Sequence, residues 1–427
     1  MKSTITCDME GVIETMNSDA ERIFGYKKEE LVGKKRVSVF SPGEIVLQNV
    51  AGWLDQAVKK GEYKGKTFFL NKEGKKINAQ IRITPTYKDG KDNPQTGYCG
   101  VTEVIDEEVN VPIALSTKLI KMLAITRMPF TSASLLPVFV VAAYFSSIGD
   151  YLFNIPLLIL TVIGILIAHL GVNVFNDYFD VKDGTDEANV EYFQQISGGS
   201  RAIELGLITL KNTWKLAVSL ISFALIIAIF IMLNINKANI NGAIVIAVMG
   251  LFLGYYYTAR PLRLVSRRGL GEVAIFLAFG PLLTIGTGFA IFNGNFLDSE
   301  HFFNCLLIGV PLGLLTTNIL LINQFPDMPG DKKTGKNHLV VTFGKKNSRW
   351  IYLLFLLLAS ISSFYLLQNL NNQYILIPTI FCLVFGLYVF KNVFRNYNSR
   401  KLISSNWQTI GLQAIYSIIL CLCFIFF

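Results

Sequence analysis

A chain of 427 residues that is 52% apolar, with a mean hydropathy of +0.45, is not an ordinary soluble protein; it has room for a small soluble domain beside a multi-span membrane bundle. The net charge of +9 is uneven: residues 1–115 hold 17 basic and 17 acidic residues, so the excess falls in the remainder, 22 against 13. That excess suits membrane-protein loops and anionic phosphates rather than nucleic acid, and six cysteines without C-x-x-C spacing argue against a disulfide framework or a zinc site.

In chain order, residues 1–108 read as a separate domain. Short alternating runs at Ser3–Cys7, Lys66–Leu70, Lys76–Thr84 and Gly97–Ile105 predict strands, with turn signals at Asn71–Gly74 and Lys88–Asn93 between them. Asn17–Phe24 and a stretch near Gly43–Lys60 predict helices, giving a small α+β domain. The runs GVIETMNSDAERIFGYKKEELVGK and FFLNKEGKKINAQIRITPTYKDG resemble a PAS sensor domain. Residues 1–115 contain no histidine, so histidine-ligated haem is excluded, and no cysteine lies in a flavin-adduct motif of the light-sensing type. Cys7 and Cys99 read as core residues. Neither haem nor a covalent flavin adduct is expected; a regulatory module is, with a homodimer through it as one outcome. The polar N-terminus has no signal-peptide core.

Residues 109–130 read as a linker containing Pro112, followed by an amphipathic segment with Lys118, Lys121 and Arg127. Nine apolar segments then follow within 131–427: 131–149, 155–175, 215–233, 241–258, 271–292, 302–322, 350–368, 374–390 and 408–426. Most approach the roughly 20 residues a bilayer requires. With the N-terminus in the cytoplasm, the inner loops (176–215, 259–269, 323–349 and 391–407) carry 18 Lys and Arg. The outer loops (150–154, 234–240, 293–301 and 369–373) carry one, Lys237. The asymmetry predicts a multi-pass protein of the inner (cytoplasmic) membrane.

Two acidic stretches then fall on the same, inner side. The first, NVFNDYFDVKDGTD at 173–186, places Asn176, Asp177, Asp180, Asp183 and Asp186 at the end of a span. The second, NQFPDMPGDKKTGK at 323–336, places Asn323, Asp327 and Asp331 four apart. Steps of three and four keep side chains on one helical face. Carboxylates beside a membrane are costly unless something positive lies between them, and hard oxygen ligands suit Mg²⁺, which leaves positions for substrate phosphates. A solvated acidic helix end is the plain alternative for either stretch alone; the pair suggests two metal-binding half-sites facing one cavity.

NDYFDVKDGTD followed by SGGSR, then YYYTARPLRLVSRRGLGE, then NQFPDMPGDKKTGK, resembles the UbiA superfamily of intramembrane prenyltransferases over residues 118–427, and within it the 1,4-dihydroxy-2-naphthoate polyprenyltransferase branch. The resemblance implies an all-α membrane bundle, here of nine transmembrane helices, behind the PAS-like domain. It implies Mg²⁺-dependent transfer of a polyprenyl group from its diphosphate to an aromatic acceptor. It assigns Asn176, Asp177, Asp180 and Asp186 to the first metal motif and Asn323, Asp327 and Asp331 to the second, with two ions expected; Asp177, Asp180, Asp327 and Asp331 are the catalytic candidates. Asp183 follows a spacing closer to other branches, and its role stays open.

A diphosphate also needs cations. Lys182, Arg201, Arg260, Lys332 and Lys336 are candidates for its oxygens, against the plain reading that inner loops are basic anyway. Ser197–Ser200 can offer backbone N–H groups to phosphate or be a flexible loop. Tyr256, between Tyr255 and Tyr257, either shields a cation or belongs to an interfacial aromatic belt. Asn173 faces the first motif; His169, one turn away, reads as a helix–helix hydrogen bond. By resemblance the loop through Gly269-Leu270-Gly271-Glu272 caps the site.

Other classes fit less well. A PAS-type membrane sensor without catalysis needs an output domain and has no use for two acidic clusters. A CDP-alcohol phosphotransferase needs a D-G-x-x-A-R run, but Asp183-Gly184 is followed by Thr185, Asp186 and Glu187. A transporter places its charges at the midplane. Within the prenyltransferase reading, another aromatic, isoprenoid or pigment acceptor is the alternative to the naphthoate. Prenyl chain length, the ligand of the PAS-like domain and oligomeric state are not encoded in any motif.

Overall fold

The computed structural model describes residues 1–88, 90, 92–149, 153–189 and 197–426, and divides them into two units. The first holds Met1–Ile125 together with Ser200–Leu210; the second holds Thr126–Gly199 and Lys211–Phe427.

The N-terminal unit is built on β1 (Lys2–Asp8) and β2 (Ile13–Met16), then α1 (Ser18–Phe24), α2 (Lys28–Leu31), α3 (Gly43–Ile45) and α4 (Ala51–Lys60), then β3 (Tyr63–Leu70), β4 (Lys76–Thr86) and β5 (Gly97–Val104). The strands form one antiparallel sheet in the order β2-β1-β5-β4-β3. Of these, β2 was not predicted, since four residues are too few to show alternation. The Asn17 side chain caps α1 by accepting the Ala20 N–H, and Gly25 closes the helix in the left-handed conformation. One face of the sheet buries Ile5, Ile13, Phe24, Leu31 and Phe40, with the Phe24 and Phe40 rings stacked at 4.2 Å. Cys7 is buried, as a core cysteine should be.

The segment read as a linker bonds to this unit. Val109 N–H donates to Asn78 Oδ1, and Gln48 bonds the Pro112 carbonyl, the Ala114 N–H and the Thr117 hydroxyl. Helix α5 (Leu115–Thr126) follows, with Lys121 Nζ 2.6 Å from Glu44 Oε1. Residues Ser200–Leu210 also pack here: Leu207 and Ala202 are buried, and a Cβ on Gly43 would stand 2.4 Å from the Leu205 carbonyl oxygen.

The second unit consists of α6 (Ser132–Ile148), α7 (Ile155–Lys182), α8 (Thr185–Ala188), α9 (Leu210–Asn234, its first residue shared with the other unit), α10 (Ile240–Tyr256), α11 (Leu270–Phe279), α12 (Pro281–Ile291), α13 (Glu300–Lys333), α14 (Leu339–Leu370), α15 (Leu376–Asn396) and α16 (Leu402–Phe426). Among the described residues eight helical stretches are long and apolar enough to cross a membrane, with α11 and α12 counting as one. The ninth expected span corresponds to α6, an apolar helix of 17 residues interrupted by Pro137 and shorter than the others. This is a multi-pass membrane protein. Phe145, Phe289, Phe296, Leu312, Leu356 and Tyr416 fill the main core. Close helix approach depends on missing side chains: a Cβ on Gly313 would stand 2.5 Å from the Phe276 carbonyl, and one on Gly309 2.7 Å from the Gly280 carbonyl carbon. Gly280 is also where α11 breaks into α12.

Candidate active site

Helix α7 outlasts its apolar stretch and carries Asn176, Asp177 and Asp180 on its last turns. Asp183 caps it, Gly184 turns the chain in the left-handed conformation (φ 74°), and α8 presents Asp186. Helix α13 carries Asn323, Asp327 and Asp331 at four-residue spacing on its last turns. Asn176, Asp180, Asp186, Asn323, Asp327, Asp331 and Lys336 all line one cavity. The two stretches, about 150 residues apart in sequence, therefore face each other.

Each carboxylate has a polar partner. Arg127, held at φ 52°, pairs its Nη2 with Asp177 Oδ1. Burial lowers the Arg127 guanidinium, but Asp177 and Asp180 outweigh it and hold it above its ordinary value. Lys336 Nζ sits 3.1 Å and 3.2 Å from the two oxygens of Asp180 and 3.9 Å from Asp331 Oδ1. Burial again acts to lower the ammonium, and again the two carboxylates prevail and raise it. Asp327 accepts from Asn189 Nδ2 at 2.8 Å and from the Gly198 N–H at 3.0 Å. Asp331 Oδ2 lies 3.0 Å from His338 Nε2. Tyr257 lines the cavity.

Asp183 has a definite place. It pairs with Arg260 Nη2 at 3.2 Å and Arg263 Nε at 3.1 Å. Arg263 also donates to Thr185 Oγ1 and to the Thr334 carbonyl, so one guanidinium ties α8 to the end of α13.

Several predicted site residues are not among those lining the cavity. Asn173 Nδ2 donates to the Thr126 carbonyl and so holds the chain leading to Arg127. Lys182 lies 5.8 Å from the Tyr178 ring centre, Lys332 is exposed, and Arg260 is mostly exposed beyond its contact with Asp183. Arg201 is buried beside Glu204 in the N-terminal unit. Tyr256 packs on Phe252 and Tyr255; the next tyrosine, Tyr257, is the one at the cavity. His169 bonds Ser134 across α6 and α7 and lies outside the cavity lining. Glu272 is buried and accepts from Gln324 Nε2 and the Leu339 N–H, so it stitches helices together. The polar cavity residues given no site role by the sequence are Arg127, Thr185, Asn189, Thr258, Gln324 and His338; Val265 and Leu320 complete the lining.

No three carboxylate, imidazole or thiol groups among the described residues converge tightly enough to cage an ion. The donor set nonetheless fits Mg²⁺, which usually takes one or two carboxylates and completes its shell with water and substrate phosphate. The carbonyl oxygens of Asn176 and Asn323 each accept one hydrogen bond, from Thr258 and Asn406, and keep a second lone pair. Gln324 Oε1 is buried with no hydrogen-bond partner among the described residues. Gly199 (φ 80°) keeps the space between the acids open: a Cβ there would stand 2.9 Å from Arg127 Nη2, 3.1 Å from Asp177 Oδ1 and 3.5 Å from Asp186 Oδ1.

Residues 134–410 match the UbiA prenyltransferase family. The chain belongs to that family. Residues 2–104 match the PAS domain family. The chain is 29% identical over 276 residues to UbiA prenyltransferase domain-containing protein 1 of Dictyostelium discoideum, covering 61% of this chain and 76% of that protein. It is 26% identical over 182 residues to the 1,4-dihydroxy-2-naphthoate octaprenyltransferase of Bacillus subtilis, covering 42% of this chain and 52% of that one. The chain thus spans about half the length of the naphthoate enzyme it matches. A UbiA homologue from Archaeoglobus fulgidus, solved bound to DMAPP and Mg²⁺, superposes with a TM-score of 0.50 at 15% identity, over 70% of this chain and 99% of that one. The chain is a prenyltransferase of this membrane family with a PAS domain at its N-terminus.

Proposed function

We propose that this protein transfers a polyprenyl group from its diphosphate to 1,4-dihydroxy-2-naphthoate in menaquinone biosynthesis, in a Mg²⁺-dependent reaction. The observation that carries the reading is the cavity into which Asp180 and Asp186 project from one side and Asp327 and Asp331 from the other, with Arg127 and Lys336 between them. Asp177, Asp180, Asp327 and Asp331 are the central acids; Asn176, Asp186 and Asn323 complete the two half-sites. Bound there, Mg²⁺ neutralises the charge that builds on a departing diphosphate. Arg127 and Lys336 add fixed positive charge at the same place, with no reorganisation needed as the bond breaks. Tyr257 presents an aromatic wall to the allylic cation. An electron-rich ring carbon of the acceptor attacks the cation, and loss of the carboxylate as CO₂ restores aromaticity.

Relatives named as naphthoate prenyltransferases support this acceptor. The Asp183 ion pairs with the middle loop give that residue a role that does not depend on which branch the chain belongs to. We further propose nine spans, the cavity opening to the cytoplasm, and the PAS domain (1–108) acting as a regulatory module joined by 109–130 to the catalytic bundle (131–427). The test is purified protein in lipid nanodiscs, offered the naphthoate, 4-hydroxybenzoate and homogentisate with one labelled prenyl diphosphate. Mg²⁺-dependent turnover of the naphthoate, abolished by EDTA, is expected. Turnover of another acceptor instead would move the assignment to a different aromatic substrate; full activity in EDTA would overturn the metal site.

A further inference from the structure

We infer that His338, which carries no role in any motif above, is a positioning residue that fixes the orientation of Asp331; the inference rests on the metal-assisted reading of the cavity. His338 is fully buried and stands between two groups that together dictate its tautomer. On one side its Nδ1 is 3.3 Å from the Val341 backbone nitrogen, and the side chain is the N-cap of α14. A backbone N–H can only donate, so Nδ1 accepts and carries no proton. The proton of the neutral ring is then on Nε2, which points at Asp331 Oδ2 from 3.0 Å. The imidazole therefore acts as a donor towards the carboxylate without bringing charge of its own.

The ring has little freedom to do anything else. The N–H of Leu339, next in the chain, is held by Glu272 Oε1 at 2.9 Å, and the same oxygen accepts from Gln324 at 3.0 Å. The His338 carbonyl accepts from the Thr342 hydroxyl at 2.9 Å. The start of α14 is thus locked to α11 and α13, and it delivers the imidazole to one chosen oxygen of Asp331. With Oδ2 committed to His338, Oδ1 on the Lys336 side is the oxygen available to the cavity. Such hydrogen bonds to a ligating carboxylate typically change metal affinity or activity 10- to 100-fold when lost.

Two near-isosteric variants separate orientation from helix capping. H338N places an amide oxygen near the position of Nδ1, keeping the cap and losing the donor to Asp331. H338Q places an amide nitrogen near Nε2, keeping the donor and losing the cap. The readouts are Mn²⁺ binding by electron paramagnetic resonance in the presence of inorganic diphosphate, the Mg²⁺ half-saturation of transfer, and the thermal midpoint, all on the full chain in nanodiscs. H338N should weaken Mn²⁺ binding about 10-fold or more at a near wild-type midpoint. H338Q should keep Mn²⁺ affinity within about threefold and lower the midpoint, as loss of a cap does. Because His338 acts through Asp331, the H338N/D331N double variant should bind Mn²⁺ no worse than D331N alone. Wild-type Mn²⁺ affinity in H338N, equal losses of affinity in the two variants, or additive losses in the double variant would each overturn the inference while leaving the prenyltransferase reading intact. A wild-type protein that binds no Mn²⁺ with diphosphate would overturn both.

Discussion

Single carboxylates at the cavity differ in what they hold, and so in what their loss should do. Asp180, Asp327 and Asp331 line the cavity and contact Lys336, Asn189 and His338; Asp177 is not in the lining but pairs with Arg127, which is. Replacing any one by alanine should lower prenyl transfer by about 100-fold or more, the usual cost of removing one fixed electrostatic contact to a developing charge. Radiometric assay of variants shown to insert normally checks this; wild-type turnover in two of the four would rule out paired half-sites. Asp183 predicts a different phenotype. Its ion pair with Arg263 is largely buried, both side chains being 11% exposed, and losing one partner strands the other. D183N should lower stability by about 3 kcal/mol. D183N/R263Q should cost less than the sum of the two single changes. The Mg²⁺ half-saturation of both should stay near wild type. The acids were legible in the sequence because helical spacing and the end of an apolar run mark them directly. His338 was not, because it meets Asp331 only after the turn at Thr334–Asn337 reverses the chain. Arg127 looked like one more interfacial cation, and its left-handed backbone, which aims it at Asp177, has no signature in residue type.

At the level of helices, the site depends on how closely α8 approaches α13. A Cβ on Gly330 would lie 2.6 Å from the Asn189 Cα and Cβ and 2.9 Å from its backbone nitrogen. Those are mostly backbone atoms, so the chain after α8 must retreat if Gly330 gains a side chain, and Asn189 would leave Asp327. G330A should destabilise the bundle by about 1–3 kcal/mol, as overpacking generally does. It should also weaken Mn²⁺–diphosphate binding, although residue 330 offers no ligand. A variant with wild-type stability and binding would show that the approach is looser than drawn. The helices themselves were readable because long apolar runs announce them; the break at Gly280 was passed over although Gly280-Pro281 is a local breaker signal, because the pair lies inside one continuous apolar run, 271–292.

Across the whole molecule, charge asymmetry carries the topology prediction. With every native cysteine replaced, single cysteines at Asn295, in a loop expected to face outwards, and at Leu262, in a loop expected to face the cytoplasm, should react with an impermeant reagent from opposite sides of the membrane; both positions are exposed. Labelling from one side alone would discard the nine-span arrangement. The second prediction concerns the PAS domain. Deleting residues 1–110 should leave measurable transfer, since none of the described residues lining the cavity lies within them, but should lower the thermal midpoint because Leu207 loses its packing at Gly43. An inserted but inactive truncation would show that the N-terminal region completes the catalytic machinery. The domain was legible as an α+β module from its alternating runs. The attachment of Ser200–Leu210 to it was not, because that segment, with Arg201 and Glu204 as its charges, reads as an ordinary loop between spans.

That attachment has a practical meaning for anyone who would graft a different PAS domain onto this bundle, or transplant this one. The transferable piece is discontinuous: the first 125 residues and the eleven-residue segment Ser200–Leu210 fold as one body. Leu205 and Leu207 lie where a Cβ on Gly43 would be, so a donor domain with a larger residue at that position would reject the recipient's loop. A chimera joined at a single crossover should therefore misfold locally, whereas one that carries both pieces from the same parent should not. Natural recombination faces the same restriction, which ties change in the PAS domain to change in a loop that begins one residue after Gly199.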